Sequence, residues 1–134
     1  MTRRQRVELL LDHYGDPRRY GVLSGADAAA SVGNPECGGW VTVYLKTDGF
    51  RVEDLSFEGE GDTITIAGAS LLMELVLERG LTLDEVLELS SGELVAIMGR
   101  DIVGRRTKNA ALALGALKTA VREYRRARLS GAAM

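Results

Sequence analysis

Apolar positions along this chain change period twice, from helical to alternating and back to helical. Near the amino end Val7, Leu10, Leu11 and Tyr14 recur at i, i+3, i+4 and i+7, with arginines and Glu8 opposite. That spacing predicts an amphipathic helix over ~2–14, closed by Gly15 and Asp16-Pro17. Residues 22–36 are rich in Gly, Ala and Ser without a period, which predicts a loop. From Trp40 the period is two: Val41, Val43 and Leu45 face one way, Trp40, Thr42, Tyr44 and Lys46 the other. Asp48-Gly49 signals a hairpin, and Arg51 to Glu58 returns as a second strand with Leu55 and Phe57 inward. Gly59-Glu60-Gly61 reads as another turn, and Asp62 to Ile66 alternates as a third strand.

Beyond that point the helical period returns. Leu71, Leu72, Leu75 and Val76 mark one face of a helix over ~67–79, ended by Gly80. Thr82 with Glu85, and Ser90 with Glu93, have capping-box spacing, each starting a short helix; Leu81/Val86 and Leu89/Leu94 are the staple pairs. A last helix over ~105–128 buries Ala110, Ala113, Leu114, Leu117, Val121 and Tyr124. Strands grouped early and helices late predict an α+β fold: a three-stranded antiparallel meander with helices packed on one face.

The length, 134 residues, suits one domain, so 1–134 is read as a single unit. Within it, 1–21 is the amino-terminal helix and following segment, and 129–134 a flexible tail. A net charge of −2 argues against general affinity for nucleic acid or membrane surfaces. The longest small-and-apolar run, Ile66 to Met73, falls far short of a bilayer span, and the amino end has no secretory apolar region, so a cytoplasmic protein is expected. A single cysteine, Cys37, excludes an intramolecular disulfide and any multi-thiolate metal site built by one chain.

Cys37 sits in a turn-forming stretch, Asn34-Pro35-Glu36-Cys37-Gly38-Gly39, so it is either a small buried apolar residue or a thiol displayed on a shaped loop. Glu53, Asp54, Glu58, Glu60 and Asp62 read as a solvated hairpin edge. Arg105, Arg106 and Lys108 crowd the first turn of the last helix, where the macrodipole disfavours cations, which points to nearby negative charge such as Asp62 and Glu60. His13, the one histidine, is read as a cation favoured by a helix C-terminus. The sequence contains no Ser-His-Asp spacing, HExxH or phosphate-binding glycine loop, so no catalytic residue is assigned.

Taken in order, Asn34-Pro35-Glu36-Cys37-Gly38, Phe57-Glu58-Gly59-Glu60-Gly61 and Ile64 through Ser70 to Glu74 resemble the iron–sulfur scaffold family of IscU, SufU and the NifU amino-terminal domain. His13 with Pro17-Arg18-Arg19-Tyr20-Gly21 is similar to the family's amino-terminal segment, with Arg19 in place of Asn. Arg106-Thr107-Lys108-Asn109-Ala110 is similar to its Arg-x-Lys-Cys-Ala. The resemblance implies a site of three cysteines and an aspartate. Cys37 matches the first cysteine, Gly39 stands at the aspartate, and Asp62 and Asn109 stand at the other two cysteines. It implies a labile Fe–S cluster, iron or zinc as cargo, with Cys37 and Asp62 as the metal-ligand candidates. A cysteine desulfurase or other assembly protein is the implied partner, docked through His13, Pro17, Arg18, Tyr20, Arg105, Arg106 and Lys108. Cys37, Asp62 and Asn109 are expected to converge at one end of the sheet. Two roles follow: a scaffold-like protein with a degenerate ligand set, or a non-catalytic module that binds an assembly factor without metal.

Overall fold

The computed structural model describes residues 1–34, 36 and 38–132, with side chains to residue 130. Cys37 therefore lies outside the described residues, and with it its share of the expected convergence. Helix α1 (Arg3–Gly15) opens on a capping box in which Thr2 and Gln5 satisfy each other's backbone N–H. Strands β1 (Ala28–Asn34), β2 (Gly39–Thr47) and β3 (Val52–Glu60) form an antiparallel sheet in the order β1-β2-β3. After the sheet, α2 (Thr63–Arg79), α3 (Leu83–Glu88), α4 (Ser91–Met98), α5 (Arg100–Val103) and α6 (Thr107–Ala110) lead to the long α7 (Leu112–Ala132).

The α+β meander with helices on one face is as the periodicity predicts, but one strand is displaced along the sequence. β1 lies inside the stretch read as a loop, because its inward positions, Ala28, Ala30 and Val32, are too small to announce an alternation. Asp62 to Ile66 is no strand: Asp62 caps α2, and the helix begins at Thr63. Every residue from Ile64 to Ser70 is buried, so the first turns of α2 carry no apolar stripe and Ile64/Ile66 mimic alternation. The last helix is interrupted at Ala111, and Arg105 and Arg106 precede its first turn, so only Lys108 of that basic group is helical. Of the expected tail, residues 129–132 belong to α7 and 133–134 lie outside the described residues.

Val41, Val43 and Leu45 of β2 and Leu55 and Phe57 of β3 are fully buried beneath α2 and α7. A second apolar cluster joins Leu10 of α1 to Ile64, Ala67, Leu94, Met98, Val103 and Ala110. Both predicted capping boxes are present, and Gly80 ends α2 at a φ of 58°, the left-handed region that favours glycine. Residues after α1 run along β3, where Arg19 O accepts from Phe57 N and Gly21 N donates to Phe57 O. Among the described residues, no helix is long and apolar enough to cross a membrane.

Candidate functional site

At one end of the sheet, the start of β2, the end of β3, the first turn of α2 and the start of α6 meet. Gly39 opens β2 so close to this junction that a Cβ there would lie 3.1 Å from Glu60 O and 3.6 Å from Thr65 Cγ2. Asp62 Oδ1 accepts from the Thr65 N–H at 2.9 Å and from the Thr65 hydroxyl at 3.0 Å. Its other oxygen faces Arg106 Nη1 at 3.3 Å. Asn109 Nδ2 donates to Thr65 Oγ1 at 3.3 Å. Gly39, Asp62 and Asn109, which are far apart in sequence, therefore surround one buried threonine. A surface cleft of ~210 Å³ lined by Gly38, Gly39, Trp40, Glu60 and Gly61 opens beside them.

Thr65 escaped the reading from sequence. Its signal is the Asp62-x-x-Thr65 spacing of a helix cap, hidden once Asp62–Ile66 is read as a strand. Arg106 does face Asp62, as the basic cluster suggested, while Arg105 and Lys108 are exposed.

The described residues at this end do not by themselves supply the donors of a Fe–S cluster or a structural zinc. Such sites take several thiolates or imidazoles. Asp62 is already spent on a helix cap and a guanidinium, Asn109 presents a neutral amide, and Gly39 has no side chain. Among the described residues no three His, Cys, Asp or Glu side chains group to hold a metal.

A second polar cluster pins α1 to α2. His13 is 2% exposed and is not the solvated helix-end cation that its position in the sequence suggests. Its Nδ1 lies 2.6 Å from Ser70 Oγ, which also accepts from the Arg18 N–H, and its Nε2 lies 3.3 Å from Glu74 Oε1. A neutral ring with Nε2–H toward Glu74 and Nδ1 accepting from Ser70 satisfies all of these contacts. Burial, then the Arg18 charge, pushes the His13 pKa down, against the pull of Glu74 and Asp12. Arg18 also binds Asp12 and holds that carboxyl below the usual range. The order Ser70–His13–Glu74 is that of a hydrolytic triad, but Ser70 is fully buried, so the chain of bonds is a lock and offers no nucleophile.

Of the segment expected to dock a partner, His13 is thus almost wholly buried. Tyr20 remains half-exposed: its ring meets Phe57 edge-on at 5.2 Å and its hydroxyl donates to Gly59 O at 3.0 Å. Arg18 and Pro17 are partly exposed beside it.

A three-stranded meander backed by helices, with glycine turns and a helix start meeting at one end, defines an α+β domain whose polar junction lies at the sheet's end. Residues 5–130 match the NifU-like N terminal domain. The chain belongs to that family of iron–sulfur cluster assembly scaffolds. It is similar to the iron–sulfur cluster assembly scaffold protein IscU 1 of Archaeoglobus fulgidus, 32% identical over 115 residues covering 86% of this chain and 73% of that one. It is also similar to the zinc-dependent sulfurtransferase SufU of Bacillus subtilis, 30% identical over 129 residues, covering 85% and 87%. In fold it matches the crystal structure of a nitrogen-fixing NifU-like protein (N-terminal) from Brucella abortus, with a TM-score of 0.72 at 24% identity, covering 89% and 93%.

Proposed function

We propose that this chain works in iron–sulfur cluster assembly as a scaffold-family protein with a degenerate ligand set. It docks on a cysteine desulfurase or another assembly factor, and any sulfur it handles passes through Cys37, the one thiol in the sequence. The observation that carries this reading is the closed network around Thr65. Asp62 and Asn109 make hydrogen bonds within the protein, so they act as structural residues where the family resemblance implies cysteines.

In the sulfur-handling form, the Cys37 thiolate attacks the terminal sulfur of a desulfurase cysteine persulfide. The donor S–S bond breaks, the donor cysteine leaves as a thiolate, and Cys37 carries the persulfide. The same network favours a second reading, in which the chain binds the desulfurase and accepts nothing.

Two measurements test the reading. Protein purified without oxygen is expected to hold far less than one iron, zinc or sulfide per chain; near-stoichiometric metal that survives chelator dialysis overturns the degenerate-site reading. Incubation with desulfurase and cysteine, followed by intact-mass analysis, then separates the two forms. A sulfur adduct lost in Cys37→Ser supports sulfur handling. A complex without an adduct supports the interaction module, and no complex with any assembly factor removes both.

A further inference from the structure

The opposite end of the sheet carries a surface that the assembly site does not use. β2 runs from Gly39 at the candidate site to Thr47 at the hairpin, so the two ends stand ~26 Å apart. At this far end the hairpin tip meets the last turns of α7. The Tyr124 hydroxyl lies 3.3 Å from where a Cβ on Gly49 would sit. A surface cleft of ~360 Å³ opens there, lined by Gly49, Tyr124, Arg125, Arg128 and Leu129.

Three features distinguish it from ordinary surface. The first is exposed apolar area: Phe50, next to Gly49 in the hairpin tip, is 61% exposed, and Leu129 of α7 is 72% exposed. The second is arginine held on aromatic faces. The Arg51 guanidinium lies 5.5 Å from the Phe50 ring centre, and that of Arg128 lies 5.8 Å from the Tyr124 ring centre. The third is rigidity. Asp48 accepts from the Phe50 and Arg51 N–H groups, and Phe50 O accepts from Leu83 N, which ties the tip to the start of α3. A pre-ordered aromatic with arginines around it loses little entropy on binding, the character of an interface hot spot.

We propose that the β2–β3 hairpin tip and the end of α7 form a docking surface for an acidic polypeptide segment carrying an apolar anchor. Charge selects the partner. The chain is acidic overall at −2, yet Arg125 and Arg128 line the cleft and Arg51 stands at the hairpin tip, where it also donates to Gly80 O at 2.5 Å. The free positive charge is local, because Asp84 pairs with the cleft's Arg125 at 2.8 Å and Glu123 with Arg126 at 3.1 Å, which leaves Arg128 as the exposed cation of the cleft. A local charge of that size suits a short acidic segment better than an extended polyanion such as nucleic acid, or an anionic membrane. Phe50, Leu129 and the cleft take the anchor. Because this surface is remote from Asp62 and Asn109, a partner here leaves the assembly end free, and the inference stands independently of what Cys37 does.

The test is a titration of the ¹⁵N-labelled full chain with the synthetic peptide Glu-Asp-Glu-Leu-Phe-Asp-Glu-Glu, acetylated and amidated. Expected are saturable amide shifts confined to 48–51 and 122–130, weakened at least tenfold by Phe50→Ala, by Arg128→Glu and by a peptide with Ser-Ser for Leu-Phe. Both replaced side chains are exposed, so thermal melts should show both variants folded. Absence of saturable shifts, shifts centred on the Asp62 end, or equal affinity in both variants overturns the proposal. Tighter binding to a single-stranded oligonucleotide, or to phosphatidylserine vesicles, also overturns it.

Discussion

Asn109 donates its side-chain amide to the Thr65 hydroxyl at 3.3 Å, and Thr65 in turn is held by Asp62. This joins the start of α6 to the first turn of α2. Because Thr65 is 1% exposed, its hydroxyl needs these partners. Removing the Asp62 carboxylate would strand the Thr65 N–H and hydroxyl together. Asp62→Ala is expected to cost ~1–2 kcal/mol by urea denaturation. Asp62→Asn, which keeps an oxygen at the cap, should lose well under half of that. Equal losses in the two variants would show that the cap contributes nothing.

Since these positions converge, thiols should be restorable. Asp62→Cys with Asn109→Cys places two thiols around Thr65, on the positions that the family resemblance assigns to cysteine. Together with Cys37 they supply three, enough for a zinc site with one open position. The double variant is expected to bind about one zinc per chain by metal analysis after dialysis, and the native chain far less. Loss of the Asp62 cap should leave its metal-free form less stable than the native protein, so zinc should raise its melting temperature. Zinc retention no better than in the native chain would show that Cys37 does not complete the cluster of positions.

Burial of His13 makes stability depend on pH in a definite direction. Its folded pKa lies below the ordinary value, so the unfolded chain takes up the proton first as pH falls. The contribution is complete above the unfolded value of about 6.5 and is lost as pH drops from there toward the folded value. The slope is at most ~1.4 kcal/mol per pH unit for one proton. Urea unfolding at pH 7.5, 6.5 and 5.5 should show this loss, and His13→Gln, already destabilised, should show a flatter profile over the same window. An unchanged profile in the variant would assign the pH dependence to other groups.

Gly68 sets the distance between α2 and α6. A Cβ there would lie 2.7 Å from Ala110 O, a backbone atom with no freedom to swing aside. In an exposed helix Gly→Ala stabilises by about 1 kcal/mol. Here Gly68→Ala is expected to destabilise by ~1–3 kcal/mol through overpacking, read as a lower urea midpoint. A higher midpoint would mean that α6 can move away at little cost.

How much of this was legible follows from where each signal is local. Val41, Val43 and Leu45 alternate against a polar face, so β2 announces itself; so do the Thr82/Glu85 and Ser90/Glu93 boxes, which need only four residues. β1 does not, because Ala28 and Ala30 bury too little apolar surface to stand out, and its pairing with β2 is a tertiary fact. The start of α2 is masked for the opposite reason, being apolar on every side. His13 shows that a helix-end residue can face inward when a serine and a glutamate on another helix await it. The sequence aligned Gly39, Asp62 and Asn109 with a known site; the residue that ties two of them together, Thr65, became visible only in three dimensions.

The arginines before α6 bear on encounter with a partner. Arg106 pairs with Asp62 across 3.3 Å, but its side chain is 59% exposed, so the pair is worth only ~0–1 kcal/mol. Arg105 beside it is exposed to solvent. Stability therefore does not account for placing two guanidinium groups on this rim; under the docking proposed above they would act on encounter with a desulfurase, because charge acts chiefly on association rate. Arg105→Glu is expected to leave the melting temperature nearly unchanged and to slow association with a cognate desulfurase. Arg105→Glu with Arg106→Glu should slow it further, with a small stability loss from the carboxylate placed beside Asp62. Both effects should shrink as salt rises from 20 to 300 mM, where the Debye length falls below about 6 Å. Stopped-flow association at those two ionic strengths decides the matter: rates that match the native chain at low salt would leave Arg105 and Arg106 as ordinary surface residues.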